Sequence, residues 1–328
     1  MYEFSNIRDL SKLGRGATGT AYLIPAGNLD IRFNAPLVLK KYSKKTLDGN
    51  EAAIESYLRN LIERKKNAPD NVKKIINKRT VWPQAIVYDE SRVCGFVMRR
   101  IPDIFYSEYQ DVGMSVKTTS TFDFVLNDNI TRKRLGLPVV NTRGRAKIVY
   151  EMLNVVNILH SYQVVIGDIS PNNILIYVDG SDQAQNRVLF IDADSFRIAG
   201  NTHPLKQPHT PEWVPPEAKE ARWKRIECER NNEDERVISK YRIREFIQNY
   251  QTDIYKICLA IMRLYYHGEN RTVITYSDEA VERLRNELNK EFTALILKGL
   301  STVPDERPSA NELIRSYCKM LLDKKNRL

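Results

Sequence analysis

The hydrophobic rhythm of this 328-residue chain shifts near residue 100 from a mostly strand-like period to a mostly helical one, and that shift constrains the fold more than any other feature. Residues 10–42 read as strand, glycine-rich turn and strand, followed by the apolar strand Pro-Leu-Val-Leu-Lys-Lys-Tyr at 36–42. Residues 50–66 adopt helical spacing, with Ile54, Leu58, Leu61 and Ile62 on one face, and strand patterns return at 84–88 and 93–98. The first hundred residues therefore predict a small sheet with one helix. Beyond them, Ile148, Met152, Leu153, Val156 and Leu159 recur at helical intervals within 145–162, and further helical periods fill 253–266, 279–299 and 309–323. Two short apolar segments, 174–178 and 188–191, flank a polar hairpin at 179–187.

Single hydrophobic cores stop growing at roughly 250–300 residues, so a chain of this length favours two lobes, 1–101 and 102–328. Within the second, 102–142 shows little periodicity and is rich in Asp, Asn, Thr and Ser, which predicts an extended connection with one short helix. Residues 218–250 alternate opposite charges at short spacing and read as a solvated helical insertion, with a docking surface for a partner as the alternative.

Composition narrows the class further. Hydrophobic residues make up 42% and charged residues 28%, close to ordinary globular usage and unlike disordered, collagenous or membrane chains. No run of about 18 apolar residues occurs, and the N-terminus reaches charged residues at once, which argues against a signal peptide. Cys94, Cys228, Cys258 and Cys318 stand far apart without a histidine cluster, a usage that fits free thiols in a reducing compartment, hence a cytoplasmic protein. The net charge of +10 is spread through helices where Glu and Asp are interleaved, which argues against nucleic acid as the main partner.

Three constellations carry chemistry. Leu13-Gly14-Arg15-Gly16-Ala17-Thr18-Gly19-Thr20-Ala21 contains Gly-x-Gly-x-x-Gly, whose glycines let backbone amides approach phosphates. Its flanks read as strands, and no acid closes a second parallel strand about twenty residues on, so the pattern favours a hairpin lid over a dinucleotide site. Lys40 ends an apolar strand, from which its ammonium can reach phosphates if a helix carboxylate holds it, and Glu55 or, one turn earlier, Glu51 could supply that carboxylate. The third string is Val-Val-Ile-Gly-Asp168-Ile-Ser-Pro-Asn-Asn173-Ile-Leu-Ile, followed by Val-Leu-Phe-Ile-Asp192-Ala-Asp-Ser-Phe. A loop acid, an amide five residues on and a second acid after an apolar strand can orient a hydroxyl and offer hard oxygen ligands to magnesium.

Taken together, these strings resemble the protein-kinase superfamily over nearly the whole chain. Gly-Phe-Val-Met (95–98), Gly-Asp-Ile-Ser-Pro-Asn-Asn-Ile-Leu and Ile-Asp-Ala-Asp-Ser-Phe are similar to bacterial kinase-like domains often fused to helix-hairpin-helix modules. The resemblance implies an α+β, bilobal protein-kinase-like fold, with a small β-rich N-lobe carrying one helix and a larger helical C-lobe. It implies an ATP- and magnesium-dependent Ser/Thr protein kinase, with manganese as an alternative ion, acting on protein substrates and on itself. Gly14, Gly16 and Gly19, with Arg15, Ala17 and Thr18 between them, would form the phosphate loop. Lys40 and Glu55 would form an ion pair, Met98 the gatekeeper and Arg99 to Ile101 the hinge. Adenine would lie between Leu13, Ala21, Val38 and Leu175. Asp168 would be the catalytic base, and Asn173 and Asp192 the metal ligands. Glu217 in Trp-Val-Pro-Pro-Glu would pair with Arg307 of Asp-Glu-Arg-Pro-Ser, and Asp253 would brace the catalytic loop.

The chain also departs from the pattern. Gly167 replaces the arginine usually found before the catalytic aspartate, which argues against switching by activation-loop phosphorylation. Ser170 stands where many protein kinases carry a lysine, so a small-molecule kinase or a nucleotide-binding pseudokinase is the alternative. Asp192-Ala-Asp194 replaces Asp-Phe-Gly, and Asp194 reads as a cap of the following turn or a water-mediated metal contact.

Overall fold

A computed structural model describes residues 2–29, 35–111, 113–266 and 277–325. The chain is mixed α+β and divides into two compact units, one of residues 1–103 with 190–206, the other of residues 104–189 with 207–328. Residues 190–206, far along the chain, belong to the first unit, whose first segment runs to residue 103.

That first unit is built on a six-stranded sheet. Its strands are β1 (Tyr2–Glu3), β2 (Ser11–Arg15), β3 (Gly19–Ile24), β4 (Leu37–Tyr42), β5 (Pro83–Asp89) and β6 (Arg92–Arg99), in the spatial order β1-β5-β6-β4-β3-β2. All neighbours pair antiparallel except β1, which runs parallel to β5. Helices α1 (Lys44–Leu47), α2 (Glu51–Lys66) and α3 (Asp70–Arg79) lie between β4 and β5. Strand alternation sorts side chains to two faces. Tyr42, Ile86, Tyr88, Val93 and Phe96 pack with Ile54 and Leu58 of α2, while Ile24, Leu39, Val87, Cys94 and Val97 pack with Ile7 on the other side.

The expectation of one helix in this region misses α1 and α3. Only Val72 and Ile76 of α3 are buried among its lysines and asparagines, too few to stand out as an apolar stripe. Segment 190–206 completes the first core: Leu205 packs against the α2 cluster, Phe196 meets Trp82 edge-on at 5.8 Å, and Val81 N–H donates to the Phe190 carbonyl at 3.0 Å.

The second unit begins with a hairpin, β7 (Tyr106–Asp111) and β8 (Met114–Thr119), and two short helices, α4 (Phe122–Leu126) and α5 (Asn129–Arg134). The expected extended connection over 102–142 is therefore largely structured, apart from residue 112, which lies outside the described residues. No residue of β8 is buried, so no apolar alternation marked the hairpin. Next come α6 (Thr142–Ser161), β9 (Val164–Val165), β10 (Ile174–Tyr177) and β11 (Arg187–Phe190), of which β10 and β11 pair with each other. The remaining helices are α7 (Pro216–Arg230), α8 (Glu235–Glu245), α9 (Tyr250–Tyr266), α10 (Asp278–Glu287), α11 (Lys290–Gly299) and α12 (Ala310–Lys325).

Helix α9 forms the axis of this unit, since its face toward α6, α10 and α11 and its flanks are nearly all buried. Tyr317 of α12 donates its hydroxyl to the Ala146 carbonyl of α6 at 2.9 Å. The charged segment forms the α7–α8 helical pair, laced by Arg225 to Glu245 (2.6 Å) and to Glu229 (2.7 Å). Among the described residues no helix is long and apolar enough to cross a membrane, and all four cysteines are free thiols. Burial pushes the Cys94 thiol up to about 11, so it is a packing residue and not a nucleophile.

Candidate active site

In the first unit, β2 and β3 join through the glycine run, with a bulge between Lys12 and Gly14 and the turn closed by Gly16 N–H on the Gly19 carbonyl at 2.8 Å. Strand therefore leads to strand and not into a helix, which removes the dinucleotide reading of the glycines. Gly19 is required by packing, because a Cβ there would collide with the Lys41 carbonyl. Among the described residues a Cβ at Gly14 or Gly16 would meet no atom, and neither has positive φ. No described residue demands glycine at these two positions, while a phosphate cradle would. The Thr18 carbonyl is tied to the start of α1 by Ser43 N–H (2.8 Å) and the Thr46 hydroxyl (2.9 Å). Arg15 and Ala17 are exposed, and Leu13 is half-exposed on the edge strand.

The register Ala21↔Lys40↔Phe96 and Val38↔Met98 puts Ala21, Val38, Lys40 and Met98 on one face of the sheet, the face that receives α2. Val38 is buried, and Met98 packs against the α2 cluster. At the end of β6, Arg99 turns its guanidinium inward to the carbonyls of Thr80 (3.0 Å) and Lys78 (3.3 Å), and burial, with Arg79 nearby, lowers it to about 10. The Arg100 N–H donates to the Pro36 carbonyl at 2.7 Å, and Ile101 follows, partly buried. Within the 99–101 segment one amide is thus committed to the neighbouring chain.

Lys40 does not meet Glu55. Its ammonium donates to both oxygens of Asp194, at 2.8 and 3.0 Å, and to Asp192 at 3.4 Å. Burial works to lower the Lys40 pKa, but the Asp194 and Asp192 carboxylates outweigh it and the result is raised, so the side chain stays charged. Glu55 instead accepts from Arg59 one helical turn on (2.7 Å) and from the Tyr88 hydroxyl (2.9 Å), bonds that hold its carboxyl below the usual range. A helix side chain four residues away out-competes a strand residue that already has two nearer acids. Glu51 sits in the first turn of α2.

Asp192 adopts left-handed backbone, φ 54° and ψ 42°, at the entry of the turn Ala193–Ser195, and its side chain is half-exposed. Asp194 is buried and does not cap that turn, as the sequence suggested. It takes Lys40 and the Tyr42 hydroxyl (3.2 Å) instead.

The second unit holds the other half of the expected set. In the loop between β9 and β10, Asn173 donates its amide to the Asp168 carboxylate at 2.8 Å and to the Asp168 carbonyl at 3.0 Å, closing the five-residue spacing into one unit. The loop is clamped from α9. Asp253, fully buried, accepts Ile166 N–H at 2.7 Å, Gly167 N–H at 2.8 Å and contacts His160 Nε2 at 2.9 Å. Gly167 has φ 77°, a left-handed backbone that glycine adopts without strain.

One residue of this clamp escaped the sequence reading. Lys256, with no exposed surface, donates to the Gly167 carbonyl at 2.8 Å and to Gln248 at 3.1 Å. The available signal was a lone lysine inside an apolar helix, three residues after Asp253. Leu175 is buried on β10. Glu217 and Arg307 form a two-pronged pair at 2.8 and 2.6 Å, and Arg307 also binds the carbonyls of Gln251 and Ser301.

Among the described residues no group of three or more His, Cys, Asp or Glu is placed to hold a metal. The expected ligands, Asp192 in the first unit and Asn173 in the second, each offer a side-chain oxygen, the donor type that magnesium takes and zinc sites of Cys and His do not. A scan against protein-family models and a search of curated proteins return no match for this chain.

Proposed function

We propose that the chain is an ATP- and magnesium-dependent phosphotransferase with a bilobal protein-kinase-like fold, acting as a Ser/Thr protein kinase that also modifies itself. The observation that carries the reading is the Asp168–Asn173 pair on a loop clamped by Asp253 and Lys256. A solvent-facing surface acid has no need of so much backbone restraint, whereas a base that must meet a hydroxyl within a few tenths of an ångström does.

In this mechanism the Asp168 carboxylate accepts a hydrogen bond from the acceptor hydroxyl, orients its oxygen toward the γ-phosphate and takes up its proton as the new P–O bond forms and the bond from the γ-phosphorus to the β,γ-bridging oxygen breaks, with ADP as the leaving group. Asn173 holds that carboxylate in place through its amide donor, and its side-chain oxygen would be free to hold a bound metal ion. Lys40 neutralises charge on the nucleotide phosphates, and the amides around Gly14 and Gly16 cover them. Magnesium, when bound through Asp192 and Asn173, would neutralise the charge on the phosphate oxygens. Gly167, standing where the resembled family carries an arginine, supports activity without loop phosphorylation.

A small-molecule acceptor is the second reading, favoured by the buried Ser170 in place of a lysine that would steady the γ-phosphate. Incubation with Mg-ATP, alone and with a generic protein substrate, followed by intact-mass and peptide analysis beside Asp168→Ala tests both. Phosphorylated Ser or Thr in the wild type only is expected. ATP bound without transfer to itself, to protein or to metabolites would replace the proposal with a nucleotide-sensing role.

A further inference from the structure

We infer that Asp194, and not the helix residue Glu55, is the carboxylate that positions Lys40 toward the nucleotide, an inference that rests on the phosphotransferase reading. Lys40 has a side chain only 12% exposed, and an ammonium so enclosed needs a carboxylate and fixed geometry to remain charged and aimed. Asp194 meets both needs: its side chain is 8% exposed and both of its oxygens lie on the Lys40 ammonium.

The carboxylate is itself immobilised from within the same unit. Tyr42, two residues beyond Lys40 on the same face of β4, donates its hydroxyl to one Asp194 oxygen at 3.2 Å. His203 donates from Nε2 to the Asp194 carbonyl at 3.0 Å, its Nδ1 lies 2.9 Å from the Leu205 carbonyl and 3.1 Å from the Leu205 N, and its ring packs on Tyr57 at 4.5 Å. Burial lowers the His203 pKa, which favours the neutral ring.

Neither other candidate acid can fill the role as well. Glu55 would have to abandon Arg59 and Tyr88, two bonds shorter than 3.0 Å, and its side chain is 32% exposed. Asp192 reaches Lys40 only at 3.4 Å with a side chain 52% exposed, and in the proposed reaction it is committed to the metal. The three-residue run Asp192-Ala193-Asp194 therefore divides the labour, one acid for the ion and the next for the lysine. The regulatory consequence is that Lys40 is set by the same turn that presents the metal acid, so no contact with Glu55 of α2 is needed to hold it.

The test compares Asp194→Asn, Asp194→Glu, Tyr42→Phe and Glu55→Gln in the full chain by two readouts. The first is kcat/KM for Mg-ATP in phosphotransfer. The second, which needs no catalysis, is the rate at which an amine-reactive acetyl ester modifies Lys40 at one fixed pH, followed by peptide mass spectrometry.

Asp194→Asn should lower kcat/KM about tenfold more than Glu55→Gln does, as expected for loss of a charge-assisted bond to a phosphate-binding group. Asp194→Glu, which restores the charge, should recover part of the loss, a recovery a purely packing role would not produce. Lys40 acetylation should rise severalfold in Asp194→Asn, less in Tyr42→Phe, and follow Asp194 and not Glu55.

Acetylation of Lys40 unchanged by Asp194→Asn, or raised as much by Glu55→Gln, overturns the inference. If the wild type transfers no phosphate at all, the phosphotransferase reading fails on its own, and the acetylation result still decides which acid holds Lys40.

Discussion

Asp253 has no exposed surface and spends both carboxylate oxygens on its neighbours, the amides of Ile166 and Gly167 and the ring of His160. Those two amides precede Asp168 directly, so the orientation of the candidate base is inherited from a helix residue 85 positions away in sequence. Asp253→Asn keeps the shape but presents a donor where an N–H needs an acceptor. The expected outcome is a loss of about 2–3 kcal/mol, the worth of a buried hydrogen bond to a charged group, read as a lower denaturation midpoint, with phosphotransfer falling alongside it. Lys65 offers a pH-dependent case. Burial, with Arg99 nearby, lowers its pKa to about 8 from the ordinary 10.5. Below pH 8 the folded and unfolded chains both carry the proton and the full cost of enclosing the charge. Between about 8 and 10.5 the unfolded chain binds more protons, so this residue's contribution improves as pH rises. Lys65→Met should therefore stabilise the protein at pH 7, with a gain that shrinks toward pH 10 in paired denaturation curves.

At the scale of elements, the spacing of β4 and β6 depends on Gly95. A Cβ at that position would collide with the Lys40 carbonyl, and the backbone of a paired strand cannot retreat without losing ladder bonds on both sides. Gly95→Ala should cost more than about 2 kcal/mol, at the high end for overpacking, and should reduce nucleotide affinity because the strand displaced is the one that carries Lys40. A denaturant midpoint and direct ATP titration measure the two effects, and an unchanged midpoint would show that the strands have slack. The α7–α8 pair behaves differently. Its surface ion pairs are individually worth little, and Trp223 and Ile243 stay exposed on it at 72% and 74%, so its helices are specified more by local i,i+4 pairing than by a deep core.

At the scale of the whole chain, residues 190–206 lie in the first unit although nearly ninety residues separate them from its end at Asp103. A fragment ending at residue 103 loses Phe196 against Trp82, Leu205 against the α2 cluster and the acids that neutralise Lys40. Such a fragment should show weak near-ultraviolet circular dichroism and rapid proteolysis, and a protected, native-like fragment would contradict this account. Much of the molecule was legible beforehand. The strands β2 to β6, helices α2, α6, α9 and α12 and the Asp168–Asn173 spacing rest on local period or on residue types with few other uses, while the Glu217–Arg307 pair was expected from the resemblance alone. The hairpin β7–β8 and helix α3 were not legible, because a solvated element needs no apolar alternation. The partner of Lys40 was not legible either: Glu55 and Asp194 are both acids at plausible distances along the chain, and only three-dimensional packing ranks them. Sequence by itself thus determined where the acids, the amide, the lysine and the glycine run stand along the chain, and so which groups are available for chemistry, since that depends on residue type. Tertiary structure alone decided that Asp194 takes Lys40, that Lys256 clamps Gly167 and that segment 190–206 completes the first core, because each is a competition between groups distant along the chain.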